Sequence, residues 1–387
     1  MRRVRTALIG AATGLAVLVG TATSAGAAGA ADAVAALQNG VGLGVSRGYP
    51  GAMGLIRDGQ SGTYVKAGSS TAGSTQPIDP TAKFRIGSNT KLFAAVTVLQ
   101  LEAEGKLSLN DTVAKWLPNA VRANGWDGNQ ITVRQLLNHT SRLPEYMPAY
   151  NLPYYTMQNV NTVYTPQQLV DAALAQAAGP RPANGVAYYS NTNYVLAGMV
   201  IQAVTGNTPA AEVTRRIITP LGLANTSFPE TDYHIYGNFV RGWKWPELWL
   251  GWQPPIVDAT NSNVSLFGPA GAMVSTLDEQ ATFLQAVFSG QLLPAAQMAT
   301  LRGSVPLDGA GQPGGMGANH WTYDCASGTK TFWSHGGNVI GYASRWFVSE
   351  DGGKAVVVMG NEHHGSSDTQ GQLALLSGAR DALCALL

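Results

Sequence analysis

The sequence contains few cysteines and few charged residues, and each shortage excludes classes of protein. Its 387 residues include only two cysteines, Cys325 and Cys384, and no C-x-x-C pair. The chain is therefore neither a small disulfide-stapled scaffold nor a zinc protein built on cysteines alone. Charged residues make up 12% of the chain, with 24 Lys and Arg against 23 Asp and Glu. Without a block of one sign, this balance argues against a nucleic-acid-binding protein and against a polybasic membrane arm.

Motifs for cofactors and metals are also missing. No phosphate-binding loop and no dinucleotide fingerprint occurs, so we expect no cofactor. Glu362-His363-His364 is a cluster of ligand-type residues, but its spacing fits no standard metal site, and we interpret it as a surface loop. We interpret His139, a polar residue near a turn after a helix, as structural. A monomer is our default expectation for the oligomeric state.

The N-terminus has the pattern of a removable export signal. Three arginines among the first five residues precede an apolar stretch over Ala7–Val19, which is too short for a membrane span. Small residues follow, with A-x-A cleavage patterns ending at Ala27 and Ala30. We therefore expect residues 1–30 to be a signal peptide and the mature protein to be secreted. In an oxidising compartment, we expect Cys325 and Cys384 to form a disulfide.

The remaining chain is long and apolar enough to bury a large core, since 45% of the residues are hydrophobic. Strand patterns occur at both ends, with a hairpin over Gly51–Ala67 and three C-terminal strands, and helical periodicity dominates between them. We therefore expect an α/β (α+β) fold in which both termini build one antiparallel sheet flanked by helices. In this single catalytic domain, 31–387, residues 31–90 and 310–387 form the α/β lobe and 91–309 a mainly helical lobe. The predicted helices are 32–38, 91–105, 133–137, 166–178, 194–204, 209–218, 277–288 and 369–386, and the predicted C-terminal strands are 329–333, 342–348 and 355–359.

The first chemical motif is an S-x-x-K sequence at Ser88–Lys91. If Ser88 begins the helix that follows, Lys91 lies one turn later on the same face, where it can act as the base that a serine hydroxyl needs. A second S-x-x-K, Ser327–Lys330, precedes a strand pattern, which would separate the two side chains. Gly44–Gly48 matches the G-x-S-x-G nucleophile elbow, but Tyr49-Pro50-Gly51 leaves no helix after it. The sequence that follows each motif therefore favours Ser88 as the nucleophile.

Two shorter motifs lie further along the chain. Tyr189–Asn191 is a Y-x-N before an apolar helix, although the chance match Tyr236–Asn238 shows that the tripeptide alone carries little weight. A lysine near Tyr189 would lower the pKa of the phenol and allow it to take a proton. His335–Gly337 is an H-G-G on a strand, where the glycines leave room for a ligand backbone.

Together and in this order, the three motifs resemble the signature of the penicillin-recognising serine hydrolases, S-x-x-K, [SY]-x-N and [KH]-[TSG]-G. The Y-x-N and H-x-G forms are similar to the branch that contains D-alanyl-D-alanine carboxypeptidases, class C β-lactamases and related esterases. The resemblance extends over nearly the whole chain from about residue 35. Further matching segments are 84–87, 107–111, 131–141 and 270–276.

This resemblance implies acyl transfer through a serine ester. Ser88 would attack a carbonyl carbon, and Lys91 and Tyr189 would share its proton. Tyr189 would then pass a proton to the leaving amine and serve as the base when water deacylates the enzyme. His335 would help to hold the charge of the phenol.

The resemblance also implies a substrate site beside these residues. The backbone N–H groups of Ser88 and Asn338 would hold the oxyanion. Asn191 would bind the acyl-side amide of the substrate, while Gly336 and Gly337 would line the strand without side chains. The implied substrates are small peptides, β-lactams or esters.

Two residues depart from the family pattern, and they bear on substrate choice. Arg142 stands where the family usually has glycine. Gly336 stands where many carboxypeptidases carry a hydroxyl that helps to bind a substrate carboxylate, so we expect Gly336→Thr to increase any preference for a free carboxylate. Without that hydroxyl, the candidate carboxylate-binding residues are His335, Asn338, Arg302 and Arg345.

The function that this resemblance favours is a secreted serine-type D-alanyl-D-alanine carboxypeptidase. A class C-like β-lactamase or a carboxylesterase of the same fold is the alternative among enzymes, because these activities differ in deacylation rate and cleft shape, which motifs do not encode. A penicillin-binding sensor without catalytic activity is the alternative outside enzymes. It would have no need to keep all four residues of the catalytic motifs.

Overall fold

The computed structural model describes residues 25–150, 160–176, 185–245, 255–306, 314–362 and 370–387. Its centre is a six-stranded antiparallel sheet in the order β2-β1-β10-β9-β8-β7. Two N-terminal strands therefore pair with four C-terminal ones, one more than the three that the sequence predicts. The strands of this sheet are β1 (Gly51–Asp58), β2 (Ser61–Gly68), β7 (Asn319–Cys325), β8 (Gly328–Val339), β9 (Tyr342–Ser349) and β10 (Lys354–Gly360).

Helices and short strands of the described residues complete the fold. Two two-stranded ribbons are formed by β3 (Phe84–Arg85) with β6 (Val274–Ser275), and by β4 (Trp243–Lys244) with β5 (Val257–Asp258). The helices are α1 (Ala25–Ser46), α2 (Thr90–Ala103), α3 (Val113–Trp116), α4 (Val133–Leu137), α5 (Pro166–Leu174), α6 (Asn191–Thr205), α7 (Pro209–Val213), α8 (Leu277–Phe288), α9 (Ala295–Leu301) and α10 (Gln370–Leu386). A π-helical turn, Thr214–Ile218, continues α7.

The two faces of the sheet bury different cores. On one face, α1 and α10 cover a smaller core that contains Leu37, Phe332 and Phe347. On the other face, α8 and the helical lobe bury a larger core that includes Trp333 and Trp346. Because neighbouring residues of a strand point to opposite faces, the adjacent residues Phe332 and Trp333 of β8, like Trp346 and Phe347 of β9, belong to different cores.

The expected fold class is confirmed, with differences at several element boundaries. The opening helix is much longer than 32–38, because α1 packs along α10 and is stabilised by that contact. β8 continues to Val339 and therefore carries the whole H-G-G motif. β7 was missed, since its alternating burial includes few fully buried side chains. The helix predicted over 166–178 ends at Leu174, and residues 177 and 178 lie outside the described residues. Also outside the described residues are the first 24 residues of the signal segment, Trp249, Trp252, His363 and His364.

Among the described residues, none of the helices is long and apolar enough to cross a membrane. The same part of the sequence holds no group of three or more ligand-type side chains that could bind a metal ion.

Cys325 and Cys384 form the expected disulfide, which joins the end of β7 to α10 over a sequence separation of 59 residues. The bond closes a loop that contains β8, β9 and β10. It therefore restricts in the unfolded chain the segment that builds the centre of the sheet.

Removal of this disulfide is expected to lower stability without abolishing activity. Chain-entropy arithmetic for a loop of this length predicts a loss of about 4 kcal/mol in the free energy of unfolding. Denaturant titration of the Cys325→Ser/Cys384→Ser variant measures the loss, and non-reducing peptide mapping of the wild type verifies the pairing. Two free thiols in the wild-type protein, or an unchanged unfolding midpoint, would contradict this prediction.

Candidate active site

The turn that carries Ser88 lies between the two lobes. β3 leads into a single 3₁₀ turn, Gly87–Asn89, and α2 begins directly after it. Gly87 has a φ of +53°, a left-handed conformation that favours glycine. A Cβ atom at Gly87 would also lie only 2.8 Å from the backbone nitrogen of Asn338. The turn and β8 can therefore approach this closely only because position 87 carries no side chain.

Lys91 lies one helical turn after Ser88, and its ammonium group has a complete set of hydrogen-bond acceptors. The Nζ atom is 2.9 Å from Ser88 Oγ, 2.7 Å from Asn191 Oδ1 and 2.6 Å from the carbonyl oxygen of Ala270. The side chain is fully buried. Burial disfavours the charged form and lowers the pKa of Lys91 to about 7, while the Glu145 carboxylate acts in the opposite direction. A substantial fraction of Lys91 is therefore neutral at physiological pH, and neutral Lys91 can accept the proton of Ser88.

Tyr189 approaches Ser88 from the other lobe. Its hydroxyl donates a hydrogen bond of 2.8 Å to Ser88 Oγ, and Lys91 Nζ lies 4.9 Å from the centre of its ring. The expected lowering of the Tyr189 pKa is wrong. Burial raises that pKa, and the Ser88 hydrogen bond only partly opposes the effect. In the resting site Tyr189 is therefore a proton donor, and Lys91 is the group poised to act as base.

His335 lies on β8 and is neutral. Its Nδ1 atom is 2.7 Å from the carbonyl oxygen of Gly336. Because a carbonyl only accepts, Nδ1 carries the proton and Nε2 is left as an acceptor. Burial, followed by the charges of Lys91 and Arg345, lowers the His335 pKa to about 3. His335 is therefore not a cation in the resting site, and its expected role toward the charge of the phenol stays a prediction.

Each glycine of the H-G-G motif allows a different close contact. A Cβ at Gly337 would lie 1.9 Å from the carbonyl oxygen of Ile86, so β8 packs directly on the strand that leads to Ser88. A Cβ at Gly336 would lie 2.9 Å from the guanidinium of Arg345. Asn338 follows, with its backbone nitrogen beside Gly87 and its side chain exposed. This geometry suits the expected oxyanion site between the backbone N–H groups of Ser88 and Asn338.

Glu145 is a site residue that sequence reasoning missed. Its Oε2 atom accepts hydrogen bonds from the backbone N–H and the side-chain amide of Asn191, at 2.7 and 3.0 Å. Its Oε1 atom accepts a 3.0 Å bond from the backbone of Met147. Burial raises the pKa of Glu145, while these bonds and Lys91 act against that shift. A lone carboxylate in a loop of prolines and aromatic residues carries no sequence signal, and only the fold brings it to Asn191.

His139 supports the loop of Tyr189. Its ring stacks on the Tyr189 ring with centroids 4.5 Å apart, and its Nδ1 accepts a 3.3 Å hydrogen bond from the backbone N–H of Ser190. Both His139 and Arg142 adopt left-handed conformations, with φ of +62° and +68°. The left-handed backbone explains why the family usually has glycine where this chain has Arg142. Arg142 adopts the same conformation at some cost in strain.

The decoy motifs lie outside the site. Ser46 is the last residue of α1, and its hydroxyl donates to the carbonyl of Leu43. Ser327 lies in the turn between β7 and β8, and Lys330 donates to the carbonyl of Leu387. Arg302 donates to the carbonyl groups of Phe288 and Glu350 and is not part of the site.

The site thus contains a half-buried serine within hydrogen-bond distance of a buried lysine and a tyrosine. Comparison of the sequence with models of protein families agrees with this arrangement. A model of the family described as Beta-lactamase matches residues 26–379. The chain belongs to this beta-lactamase family. It is a serine hydrolase of the β-lactamase and penicillin-binding-protein fold. The resemblance inferred from the three motifs is therefore confirmed.

Two similar solved structures are amide hydrolases by name, and a curated relative is a penicillin-binding protein. A D-stereospecific amidohydrolase from Streptomyces sp. has 34% sequence identity and a TM-score of 0.78, with 89% of this chain and 98% of that chain covered. The D-amino acid amidase from Ochrobactrum anthropi SV3, complexed with L-phenylalanine amide, has 25% identity and a TM-score of 0.76, with 91% and 98% covered. Penicillin-binding protein 4* of Bacillus subtilis (strain 168) is 27% identical over 319 residues, which are 80% of this chain and 66% of that protein.

Another match is shorter. Protein flp of Staphylococcus aureus (strain NCTC 8325 / PS 47) is 33% identical over 154 residues, and the match covers 40% of this chain and 30% of flp. The chain thus spans less than a third of the length of that curated relative.

The pKa of Lys91 makes activity depend on pH. Neutral Lys91 accepts the proton, so we expect kcat/KM for an uncharged ester to fall about tenfold per pH unit below pH 7 and to level off above it. Rates between pH 5 and 9, corrected for spontaneous hydrolysis and accompanied by circular dichroism to confirm folding, measure this. A flat profile from pH 5 to 9 would show that another group is the base.

Proposed function

We propose that the protein hydrolyses the amide bond on the carboxyl side of a D-amino acid residue that has a free amino group. Ser88 carries the acyl group during the reaction. The observation that supports this proposal is the partly buried carboxylate of Glu145 beside Asn191, on the acyl side of the site. A free amino group is cationic at neutral pH, and a carboxylate in a partly buried site favours a cation over a neutral acylated amine.

Contacts around Asn191 support this assignment. Its side-chain oxygen already accepts from Lys91, and its amide nitrogen donates to Glu145. An ammonium group that replaces one of these donors would be held by two acceptors, the carboxylate of Glu145 and the amide oxygen of Asn191. A neutral acylamino group offers one N–H and carries no charge to balance the carboxylate of Glu145.

Similarity to known hydrolases supports the assignment of D-amino acid derivatives as substrates. Two similar solved structures are described as a D-stereospecific amidohydrolase and a D-amino acid amidase, and the first is matched over 98% of its length at 34% identity. We therefore assign amides of D-amino acids and D-aminoacyl peptides as the substrates of this protein. The missing hydroxyl at Gly336 agrees with a substrate that does not end in the carboxylate of a carboxypeptidase substrate.

Acylation follows from the resting hydrogen bonds. Neutral Lys91 takes the proton of Ser88, and Ser88 Oγ forms a bond to the substrate carbonyl carbon. The backbone N–H groups of Ser88 and Asn338 stabilise the oxyanion. When the C–N bond breaks, Tyr189 gives its proton to the leaving amine. The acyl-enzyme then contains protonated Lys91 beside the Tyr189 phenolate, so the two charges compensate one another.

Deacylation reverses both proton transfers. The Tyr189 phenolate takes a proton from water, and the resulting hydroxide attacks the ester carbonyl. Protonated Lys91 returns its proton to Ser88 Oγ as that bond breaks. The site is thereby restored to neutral lysine, neutral phenol and free serine, with one water consumed. His335 contributes an acceptor at Nε2 on the leaving-group side.

A second candidate function is the D-alanyl-D-alanine carboxypeptidase activity that the sequence favours. The similarity to Penicillin-binding protein 4* supports it, since that protein is matched over 80% of this chain. It differs from the first proposal in requiring an acylated amine in place of a free one. Export by the N-terminal signal segment remains a prediction from the sequence and is compatible with either function.

Ser88 is expected to be the nucleophile. A fluorophosphonate probe should add once, to the peptide that contains Ser88, and Ser88→Ala should lose about 10⁴-fold or more in rate because the covalent route is removed. Peptide mapping by mass spectrometry locates the adduct. Ser46 and Ser327 serve as internal controls, and labelling of either in place of Ser88 would contradict the assignment.

Glu145→Gln is expected to lower kcat/KM for D-alanine amide about 10- to 100-fold, since a charge-assisted bond contributes roughly 1.5–3 kcal/mol. The N-acetylated amide should change less than threefold, because it carries no charge for Glu145 to bind. Initial rates with both substrates and their L-enantiomers measure amine recognition and stereochemistry together.

The control for Glu145→Gln is Asp171→Asn, which removes an exposed carboxylate on α5 in the same lobe. Because the glutamine can disturb the bond from Met147, thermal unfolding of each variant is measured alongside. A parallel loss for the free and acetylated substrates would contradict amine recognition and favour the carboxypeptidase.

A further inference from the structure

We propose that the hydroxyls of Thr90 and Ser344 position the two backbone N–H groups that bind the oxyanion. Each hydroxyl donates to the carbonyl of the peptide unit whose N–H serves as an oxyanion donor. Thr90 and Ser344 touch no reacting atom, so they are positioning residues and not catalytic ones. This role rests on the oxyanion site of the proposed function, but it does not depend on the identity of the acyl group.

The first hydroxyl acts on the peptide unit that joins Gly87 to Ser88. Thr90 is completely buried at the start of α2, and its Oγ1 atom donates a 2.8 Å hydrogen bond to the carbonyl oxygen of Gly87. The backbone N–H of Met273 donates to the same Oγ1 atom at 3.2 Å. Because a hydroxyl has a single proton and the bond from Met273 occupies a lone pair, the proton is directed to Gly87.

The second hydroxyl acts on the peptide unit that joins Gly337 to Asn338. Ser344 pairs with Gly337 across β8 and β9, so both face the same side of the sheet. The Oγ atom of Ser344 is 3.3 Å from the carbonyl oxygen of Gly337 and 3.4 Å from that of Ile86. The buried side chain of Asn89 donates to this Oγ atom at 3.0 Å. The amide of Asn89 therefore directs the proton of Ser344 toward these two carbonyls.

Peptide geometry transmits each of these bonds to an oxyanion donor. None of the described peptide bonds is cis, and in a trans peptide the C=O and N–H groups lie in one plane and point in opposite directions. A bond that fixes the carbonyl of Gly87 therefore fixes the direction of the Ser88 N–H, and the same relation holds for Gly337 and Asn338. Donation to the carbonyl also polarises the amide and strengthens its N–H as a donor. Each oxyanion donor thus has a buried hydroxyl behind it.

Local bonding alone does not account for this arrangement. Helical threonines commonly bond a carbonyl three or four residues earlier, and the completely buried Thr97 of α2 does so toward Phe93 at 2.9 Å. Asn89 differs, because its Oδ1 atom is buried and has no hydrogen-bond partner among the described residues. An unpaired buried oxygen is costly, so the side chain of Asn89 serves its donors and not stability.

The experiment compares wild type with Thr90→Val, Ser344→Ala and the matched control Thr97→Val, which removes a buried hydroxyl from the same helix. The two reactions followed are phosphonylation by a fluorophosphonate and hydrolysis of p-nitrophenyl acetate. In phosphonylation, Ser88 Oγ bonds to phosphorus, fluoride leaves and Lys91 takes the proton. The ³¹P resonance of the stable adduct then reports on hydrogen bonds to the phosphonyl oxygen, with the denatured adduct as reference. Thermal unfolding of each variant is measured alongside.

We expect Thr90→Val and Ser344→Ala to lower both second-order rate constants about 5- to 50-fold, less than the roughly 10²- to 10³-fold loss of an oxyanion donor itself. The ³¹P resonance should move toward that of the denatured adduct. Thr97→Val should leave the resonance in place and the rates within about threefold of wild type, since it lies apart from the site. Thr90→Ser keeps the hydroxyl and should also stay within about threefold of wild type.

Rate losses no larger than those of Thr97→Val, or an unmoved ³¹P resonance, overturn the proposal. A Thr90→Ser variant as slow as Thr90→Val overturns it as well, because the methyl group and not the hydroxyl would then be responsible. Should Thr90→Val fail to fold, Ser344→Ala and Thr90→Ser are judged by the same criteria.

Failure of this role and failure of the proposed function are distinguishable, because p-nitrophenyl acetate and the fluorophosphonate contain no amino acid. The expected losses with these two reagents, but no turnover of D-alanine amide by the wild type, contradict the proposed function alone. Turnover of D-alanine amide that neither Thr90→Val nor Ser344→Ala slows contradicts the positioning role alone. A wild type that reacts with neither reagent contradicts both.

Discussion

The close approach of β8 to the turn that carries Ser88 is the contact on which the rest of the site depends. Gly337 lies against the carbonyl of Ile86, and Gly87 lies against the backbone of Asn338. A side chain at either glycine would separate the strand from the turn. The hydroxyl of Ser344 reinforces this junction by donating toward the carbonyls of Ile86 and Gly337, at 3.4 and 3.3 Å. The C-terminal sheet and the N-terminal end of α2 therefore act as one rigid frame for the reaction.

Burial then sets the protonation states within that frame. Lys91 loses part of its preference for the charged form because it is removed from water, and His335 is held neutral for the same reason. The carboxylate of Glu145 acts in the opposite direction, since it favours the charged form of Lys91. The resting site is thus nearly uncharged at its centre.

Much of the fold and the reacting groups could be predicted from the sequence because both depend on local patterns. S-x-x-K at a helix start places Ser88 and Lys91 on one face by helical geometry alone, and the glycines of the third motif indicate a close backbone contact. Alternating and helical periodicities located the hairpin and most of the helices. The length of α1 was missed because it depends on packing against α10, which is distant in the sequence. The strand β7 was missed although β8 follows it directly in the chain, because its weakly alternating pattern contains no fully buried side chain.

The sequence by itself determined the reacting serine and lysine, the motif order and the antiparallel sheet shared by both termini, since each follows from residues a few positions apart or from composition. The tertiary structure decided which groups are charged and which distant side chains meet at the site. Glu145 meets Asn191 across 46 positions, and Ser344 meets Gly337 only through strand register. A pKa depends on everything that surrounds a group in space, so neither the neutral His335 nor the raised pKa of Tyr189 could be read from the neighbours of either residue in the sequence.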